Sequence, residues 1–269
     1  MLISITDIIV ESWRLYKENF KHFFMYVLLM FIPTVFLLIA KFLLTYFVPS
    51  HSWGVIGSTF LIFAMLAIVF AVFAFWFKLA FVRVIAKRYT GQMADTIGKE
   101  LSQSKKVFWP AVGVSILTAL AVLGGMLLLI VPGIIFMLWF AFSYLVVAID
   151  ESSVMDGMHK SKALVDGRWW AVLGRLFVPS LVFGILAMII SWIVAIPLEF
   201  ILSHTDKTSG LYAVWDIIGA IIISMGTALI TPLTMSALVI LYLELKKTPL
   251  AKPAMTPNMS DTPPGAPTA

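Results

Sequence analysis

Residues 107–149 read V-F-W-P-A-V-G-V-S-I-L-T-A-L-A-V-L-G-G-M-L-L-L-I-V-P-G-I-I-F-M-L-W-F-A-F-S-Y-L-V-V-A-I, a run of 43 positions without one charge. As a single helix rising 1.5 Å per residue it would be about 64 Å long, twice what a bilayer core of roughly 30 Å requires. Near its middle, Val131-Pro132-Gly133 is a turn signal that ends one helix and starts the next. The run therefore predicts two spans, 107–130 and 134–150, reversed through a tight hairpin at Pro132 and Gly133. A positive φ is expected at that glycine, where a β-branched residue would be strained.

The rest of the chain repeats the theme. Trp53–Phe77, Leu176–Leu198 and Ile217–Leu243 are also charge-free, and Phe23–Val48 carries only Lys41. The expected fold is an all-α integral membrane bundle over 1–247, with spans at 23–48, 53–80, 107–130, 134–150, 171–201 and 214–243. Composition agrees: 61% hydrophobic residues and 12% charged ones, against the quarter usual in soluble domains. The chain has no cysteine, which excludes disulfides, thiolate metal sites and a catalytic thiol. No cleavable leader is expected, because charges run through the first twenty residues.

Charge placement sets the orientation. With six crossings, the segments 1–22, 83–106, 150–175 and 246–269 share one side, and they hold sixteen of the nineteen Lys and Arg residues. The opposite side holds Lys207 alone, while Lys41 and Lys78 lie inside runs. Such a bias places the basic segments, and both termini, on the cytoplasmic face of a cytoplasmic (inner) membrane. The net charge of +5 is thus a topology signal, and no nucleic-acid partner is expected. The last stretch, 248–269, contains six prolines among Thr, Ala, Met and Gly, and reads as a disordered cytoplasmic tail.

Three basic-side segments look alike and predict three interfacial amphipathic helices. The first sets Ile5, Ile8, Ile9, Trp13, Tyr16 and Phe20 opposite Asp7, Glu11, Arg14, Lys17 and Lys21. The second carries Met93, Ile97 and Leu101 on one stripe. The third carries Val154, Met158 and Val165, opened by a capping box from Ser153 to Asp156. Each leads to an aromatic pair at a span entrance: Phe23-Phe24, Phe108-Trp109 and Trp169-Trp170. With Trp13, the residues Phe108, Trp109, Trp169 and Trp170 are the expected interfacial anchors. Phe31-Ile32-Pro33-Thr34 and Phe177-Val178-Pro179-Ser180 then recur at the same offset of 146 as the aromatic pairs. The pattern predicts a pseudo-repeat of one amphipathic helix plus two spans, its copies parallel in the membrane.

A resemblance follows from these motifs. The Pro-Gly hairpin, Asp150-Glu151 at the end of the fourth span, Ser161, the exit Gly167-Arg168-Trp169-Trp170 and the opening Glu11-Ser12-Trp13-Arg14-Leu15-Tyr16 are together similar to one bacterial family. It is the six-span membrane domain fused to some glycerophosphodiester phosphodiesterases, with its stand-alone YciC-type relatives. The likeness implies fold and topology. It carries no activity to this chain, which lacks the phosphodiesterase barrel.

Residues for chemistry are sparse. The four histidines fall in four different connections, and no metal-binding spacing, G-x-S-x-G elbow or Walker loop occurs. No metal, cofactor or catalytic constellation is expected. Intramembrane charges are costly and usually partnered. Lys41, Glu199 and Asp216 share the outer zone, where Lys41 either snorkels, pairs with a carboxylate or helps form a solute site. Pro33 and Pro179 should kink their helices, a pointer to transport when it recurs in repeated units. The function that results is a non-enzymatic membrane protein, handling lipid or membrane homeostasis or acting as a scaffold. A small-solute or lipid transporter or channel is the alternative, and an embedded lipid hydrolase a more distant one. Its partners are the bilayer and a lipid or small solute.

The topology is directly testable in this cysteine-free chain. Single cysteines at Ser52 and Ser203 should react with an impermeant reagent applied outside intact cells. Cysteines at Ser104 and Ser161 should not react, and labelling of either one overturns the six-span orientation.

Overall fold

The computed structural model describes residues 2–47, 53–207 and 209–249. Among them the chain is helical, with no strand: α1 (Ile5–Glu18), α2 (Phe20–Phe47), α3 (Trp53–Tyr89), α4 (Ile97–Leu128), α5 (Ile130–Trp139), α6 (Ser143–Asp150), α7 (Val154–Val165), α8 (Trp169–Ser203), α9 (Gly210–Ala228) and α10 (Thr231–Lys247). Short breaks divide α5 from α6 and α9 from α10. Taken across those breaks, six stretches are long and apolar enough to cross a membrane: Phe20–Phe42, Phe60–Tyr89, Ile97–Leu128, Ile130–Asp150, Trp169–Ser203 and Gly210–Lys247. The connection at 48–52 and the expected tail from residue 250 lie outside the described residues.

The long hairpin is α4 against α5 and α6, and its turn corrects the expected one. The reversal occurs at Leu129, whose φ of −163° and ψ of 153° make it extended. Pro132 instead sits in the first turn of α5, where a missing N–H leaves no helical bond unmade. Gly133 has no positive φ; among the described glycines only Gly91 and Gly167 do. Space is what requires it. A Cβ on Gly133 would stand 2.9 Å from the Met126 nitrogen, and one on Gly125 would stand 2.9 Å from Gly133 Cα. Two glycines let the helices cross backbone to backbone.

The short helices also differ from expectation. No separate helix covers Met93–Leu101. Met93 is 91% exposed in a non-helical stretch, and Ile97 already begins α4. Nothing between Ile97 and Val107 breaks a helix, so the expected connector and the third span are one rod. In α1 the buried stripe is Ile8, Ser12 and Leu15, packed against α10 and α8, while Trp13, and Phe20 at the start of α2, face outward. The Ile3 carbonyl accepts from Arg175 Nε at 2.6 Å, which ties the chain start to α8.

Helix α7 begins as expected, with Ser153 Oγ accepting from the Asp156 N–H at 3.3 Å. Its buried stripe, however, is Gly157, Ser161 and Val165. Gly157 lies so close to α6 that a Cβ would come within 2.6 Å of Val147 Cγ2. Ser161 then reaches the break between α5 and α6: its Oγ donates to the Trp139 carbonyl at 2.7 Å and accepts from the Phe142 N–H at 3.1 Å. One hydroxyl thereby replaces two helical bonds lost at Phe140–Phe142.

Packing is tightest at the basic end. Leu79–Ala86 of α3, Leu145–Ala148 of α6 and most of α10 are buried, and Phe23 and Tyr26 close on Phe81 at ring distances of 5.2 and 5.3 Å. Helix α10 touches α1, α3, α8 and α2, so it is the axis of that half. At the other end, Phe60, Leu127, Ile130, Ile196 and Phe200 are all exposed. Ser104 and Ser161 are fully buried, which makes Met93 and Lys160, both exposed, the better inward positions for the labelling test above.

Gly133→Val should destabilise the protein by about 1–3 kcal/mol or prevent its accumulation, as overpacking against a fixed backbone does. Gly124→Ala, with open space around its missing Cβ, should melt like the parent. Equal melting of the two variants in detergent would falsify the close crossing as the reason for the glycine.

Candidate functional site: a polar layer at the basic end

The residues singled out in the sequence do not converge. Lys41 of α2, Glu199 of α8 and Asp216 of α9 are each exposed, and among the described residues no ion pair within 4.0 Å joins Lys41 to either carboxylate. Leu198 faces Gly219 across the α8–α9 contact, and the next residue, Glu199, is turned about 100° away from it. A shared depth along the sequence is therefore not a shared face. Glu199 instead borders, with Lys207 and Tyr212, a cavity of about 400 Å³ at the α8–α9 connection.

Pro33 and Pro179 are buried inside continuous helices. The expected anchors divide. Trp109 and Trp170 are well exposed, at 76% and 71%, whereas Phe108 packs edge-on to Phe75 at 5.8 Å and Trp169 stacks on Trp170 at 4.0 Å. Trp13 is partly exposed beneath Lys17, whose Nζ lies 5.3 Å from its ring.

What the fold gathers is a polar layer across the basic end, built from residues the sequence presented as loop charges. Glu100, in the first turn of α4, is fully buried. Its Oε1 accepts from Lys87 Nζ at 2.6 Å and from the Asp95 N–H at 3.0 Å, while Oε2 is buried with no partner. Asp95 takes Lys99 at 2.7 Å and Lys87 at 3.4 Å, and the Lys99 hydrogen bond holds its carboxyl below the ordinary carboxylate range. One turn before Lys87, Arg83 donates to the Ala148 carbonyl at 2.9 Å and to Glu151 at 2.8 Å. Glu151 caps α6 in the left-handed region, with a φ of 53°, which costs a non-glycine residue about 1 kcal/mol or more. The Arg83 pair helps hold it there.

The same layer continues to α10. Lys246 meets both oxygens of Asp150 at 2.8 Å, and Tyr242 donates to Asp150 at 2.9 Å. Arg168 follows Gly167, whose φ of 76° turns the chain out of α7. It donates to the Leu164 carbonyl at 2.8 Å, the Thr248 carbonyl at 2.6 Å and the Leu245 carbonyl at 3.2 Å. One guanidinium thus caps the C-terminal ends of α7 and α10, where a positive charge meets the negative pole of each helix.

Between α6, α7 and α10 this arrangement leaves an open groove of about 530 Å³. Lys160, Arg168 and Lys246 border it against the single carboxylate of Asp150, with Leu164 and the Tyr242 ring as apolar wall. Lys160 donates to Ser152 Oγ at 2.9 Å, and among the described residues no carboxylate pairs with it within 4.0 Å. The groove can therefore accept an anion that carries an apolar body. Among the described residues no cluster of three or more His, Asp or Glu side chains is placed to hold a metal.

The Lys87–Glu100 pair yields a measurable coupling. Lys87→Met leaves a buried carboxylate without its cation and should cost about 3–5 kcal/mol, whereas Lys87→Met with Glu100→Gln should recover most of that loss. Additive losses in a double-mutant cycle on purified protein would rule out the direct pair.

Comparison with known proteins adds a family without an activity. No curated protein and no solved structure matches the chain. A family model described as a domain of unknown function, DUF7847, matches residues 104–245, more than half of the chain and all of it from the first turns of α4 to the end of α10. The chain therefore belongs to the DUF7847 family.

Proposed function

We propose that this protein is a non-enzymatic, multi-pass protein of the cytoplasmic membrane, with both termini inside, that handles lipid by seating anionic phospholipid headgroups in its basic groove. The groove itself carries the reading. Three cations and one carboxylate border a cavity of about 530 Å³ at the basic end of the bundle. If that end lies at the cytoplasmic surface, the groove meets the anionic leaflet, where each nearby Lys or Arg contributes about 1 kcal/mol of attraction. Leu164 and Tyr242 supply an apolar flank for the start of an acyl chain.

Further support comes from the short helices. Exposed Trp13 and Met155 on α1 and α7 suit them to the headgroup region, with their buried faces on the bundle. The carboxylates of the polar layer are each engaged by a cation, a tyrosine or both, which suits a structural role better than acid–base turnover. The likeness to the membrane domain of the fused phosphodiesterases, proteins of glycerophospholipid chemistry, points the same way.

The test compares lipid retention by the full chain and by Lys160→Gln, purified in detergent from a membrane containing phosphatidylglycerol and phosphatidylethanolamine. Because Lys160 is in no ion pair among the described residues, and Asp150 keeps Lys246, its removal leaves no orphaned charge. Retained phosphatidylglycerol, counted by native mass spectrometry, should fall about five-fold, the equivalent of about 1 kcal/mol. Phosphatidylethanolamine retention and melting should stay unchanged. Equal phosphatidylglycerol retention by both proteins refutes the groove as the headgroup site.

A further inference from the structure

A third cavity lies far from the polar layer, between α2 and the break that divides α9 from α10. It measures about 310 Å³, at the small end of the ordinary range for ligand sites of about 300–1,000 Å³. Its wall combines Met30 and Phe31 with four hydroxyl side chains, Thr34, Ser224, Thr227 and Thr231. Depth follows from helix rise. Thr34 is thirteen residues beyond Lys21, about 20 Å of helix, and Thr231 is fifteen residues before Lys246, about 22 Å. Both counts start from the basic end and reach the same level, close to the middle of a bilayer whose core is roughly 30 Å thick.

Hydroxyls at that depth need hydrogen-bond partners, and the backbone beside them has lost some of its own. Pro232 has no N–H, so the Ala228 carbonyl, on the cavity wall, lacks its i+4 donor. Pro33, immediately before Thr34, deprives the Leu29 carbonyl in the same way. Thr227 Oγ1 gives its hydrogen to the helix, at 2.9 Å from the Ser224 carbonyl, and keeps its lone pairs. The hydroxyls of Thr34, Ser224 and Thr231 make no hydrogen bond among the described residues. The three uncommitted hydroxyls can each donate or accept, and with the Ala228 carbonyl and Thr227 Oγ1 as further acceptors, the wall has acceptors in excess of donors. No charged side chain borders it, and a charged ligand at mid-depth without a counter-charge would be costly.

From this balance we propose that the cavity binds a small uncharged molecule through its hydroxyl group, donating to the Ala228 carbonyl and exchanging hydrogen bonds with Thr34 and Ser224. The site is independent of the basic groove and rests only on the bilayer reading above. Thr34, on the α2 face that lines the cavity, is itself exposed, so the cavity opens sideways, and an alcohol dissolved in the bilayer can enter without crossing the polar layer. Water-borne polyols carry the same hydroxyl chemistry.

The experiment uses the full chain in phosphatidylcholine vesicles and two photoreactive diazirine probes of equal length, an octanol and an octane, with adducts mapped by mass spectrometry. The octanol probe should label 27–34 and 224–231 saturably and be displaced by excess 1-octanol but not by octane. Displacement by glycerol as well identifies the source as a polyol from water. Thr34→Val with Ser224→Ala, which removes two hydroxyls at constant shape, should cut saturable labelling about five-fold, the effect of roughly one hydrogen bond, with melting unchanged. Saturable labelling that octane displaces equally, or that survives the double substitution, overturns the hydroxyl site. The octane probe should label Ile32 and Phe36 in both proteins. If it does, while octanol labelling fails to saturate, the cavity proposal alone falls; if it does not, the bilayer placement of α2 falls too.

Discussion

The hydroxyl of Ser161 is the contact on which the architecture turns. A helix that crosses an apolar medium has to satisfy its own backbone, because no water is present to do so. The fourth apolar stretch fails that condition at Phe140–Phe142, and α7 repairs it from outside with one side chain that both donates and accepts. To place Ser161 there, α7 has to lie against the hairpin, which Gly157 permits by bringing its backbone onto α6. Once α7 is fixed, Gly167 and Arg168 follow at its end, and the guanidinium joins α7 to α10. The basic groove is the space left among the three helices this sequence of constraints positions.

The two interrupted stretches make a useful contrast. Each has a helix break with uncompensated backbone groups, and each lies next to hydroxyl side chains. At Phe140–Phe142 the compensation is internal and the site is closed. At Leu229–Ile230, Pro232 removes a donor that nothing among the described residues replaces, and a cavity stands beside it. Apolar packing alone does not explain where the bundle is tight. In an apolar solvent, burying Leu and Val brings little hydrophobic gain, so helix association depends on close fit and polar pairing. The tight half of this protein is the half that contains Lys87–Glu100, Arg83–Glu151 and Asp150–Lys246.

Much of this was legible from residue patterns, and the failures have physical causes. Apolar runs report length directly, so the six long stretches could be read without tertiary information, and a Pro-Gly pair reliably marks a nearby reversal. The turn itself moved to Leu129 because proline is as comfortable in a first helical turn as in a loop. Gly133 proved to be a matter of interhelical distance, which no single-helix pattern encodes. The stripes drawn on α1 and α7 followed large apolar residues, and Ile8 and Val165 are buried as drawn, but the rest of each buried face is Ser12 and Leu15 on α1 and Gly157 and Ser161 on α7; spacing of small residues, as in Gly157-x-x-x-Ser161, was the signal available. Lys41 and Glu199 match in expected depth, but depth does not fix direction, and Glu199 is turned away from the α8–α9 contact. The polar layer stayed hidden since Lys87 and Glu100 belong to different helices, and a fully buried glutamate looks like any loop acid until its partner is in view.

The central place of α10 bears on how the chain can be built. A ribosome delivers α1 first and α10 last, yet α1 rests mainly on α10, and α3 and α8 border it as well. The earlier helices can form one after another, but their common axis does not exist until the final seventeen helical residues have been made. Until then Glu244 and Lys246 are missing as partners for Tyr89 and Asp150, and Arg168 has only one of its two helix ends to cap. Assembly is therefore closed by the last helix to emerge, and a nascent chain stalled before Thr231 would present quality-control proteases with a set of apolar helices lacking the member around which they pack.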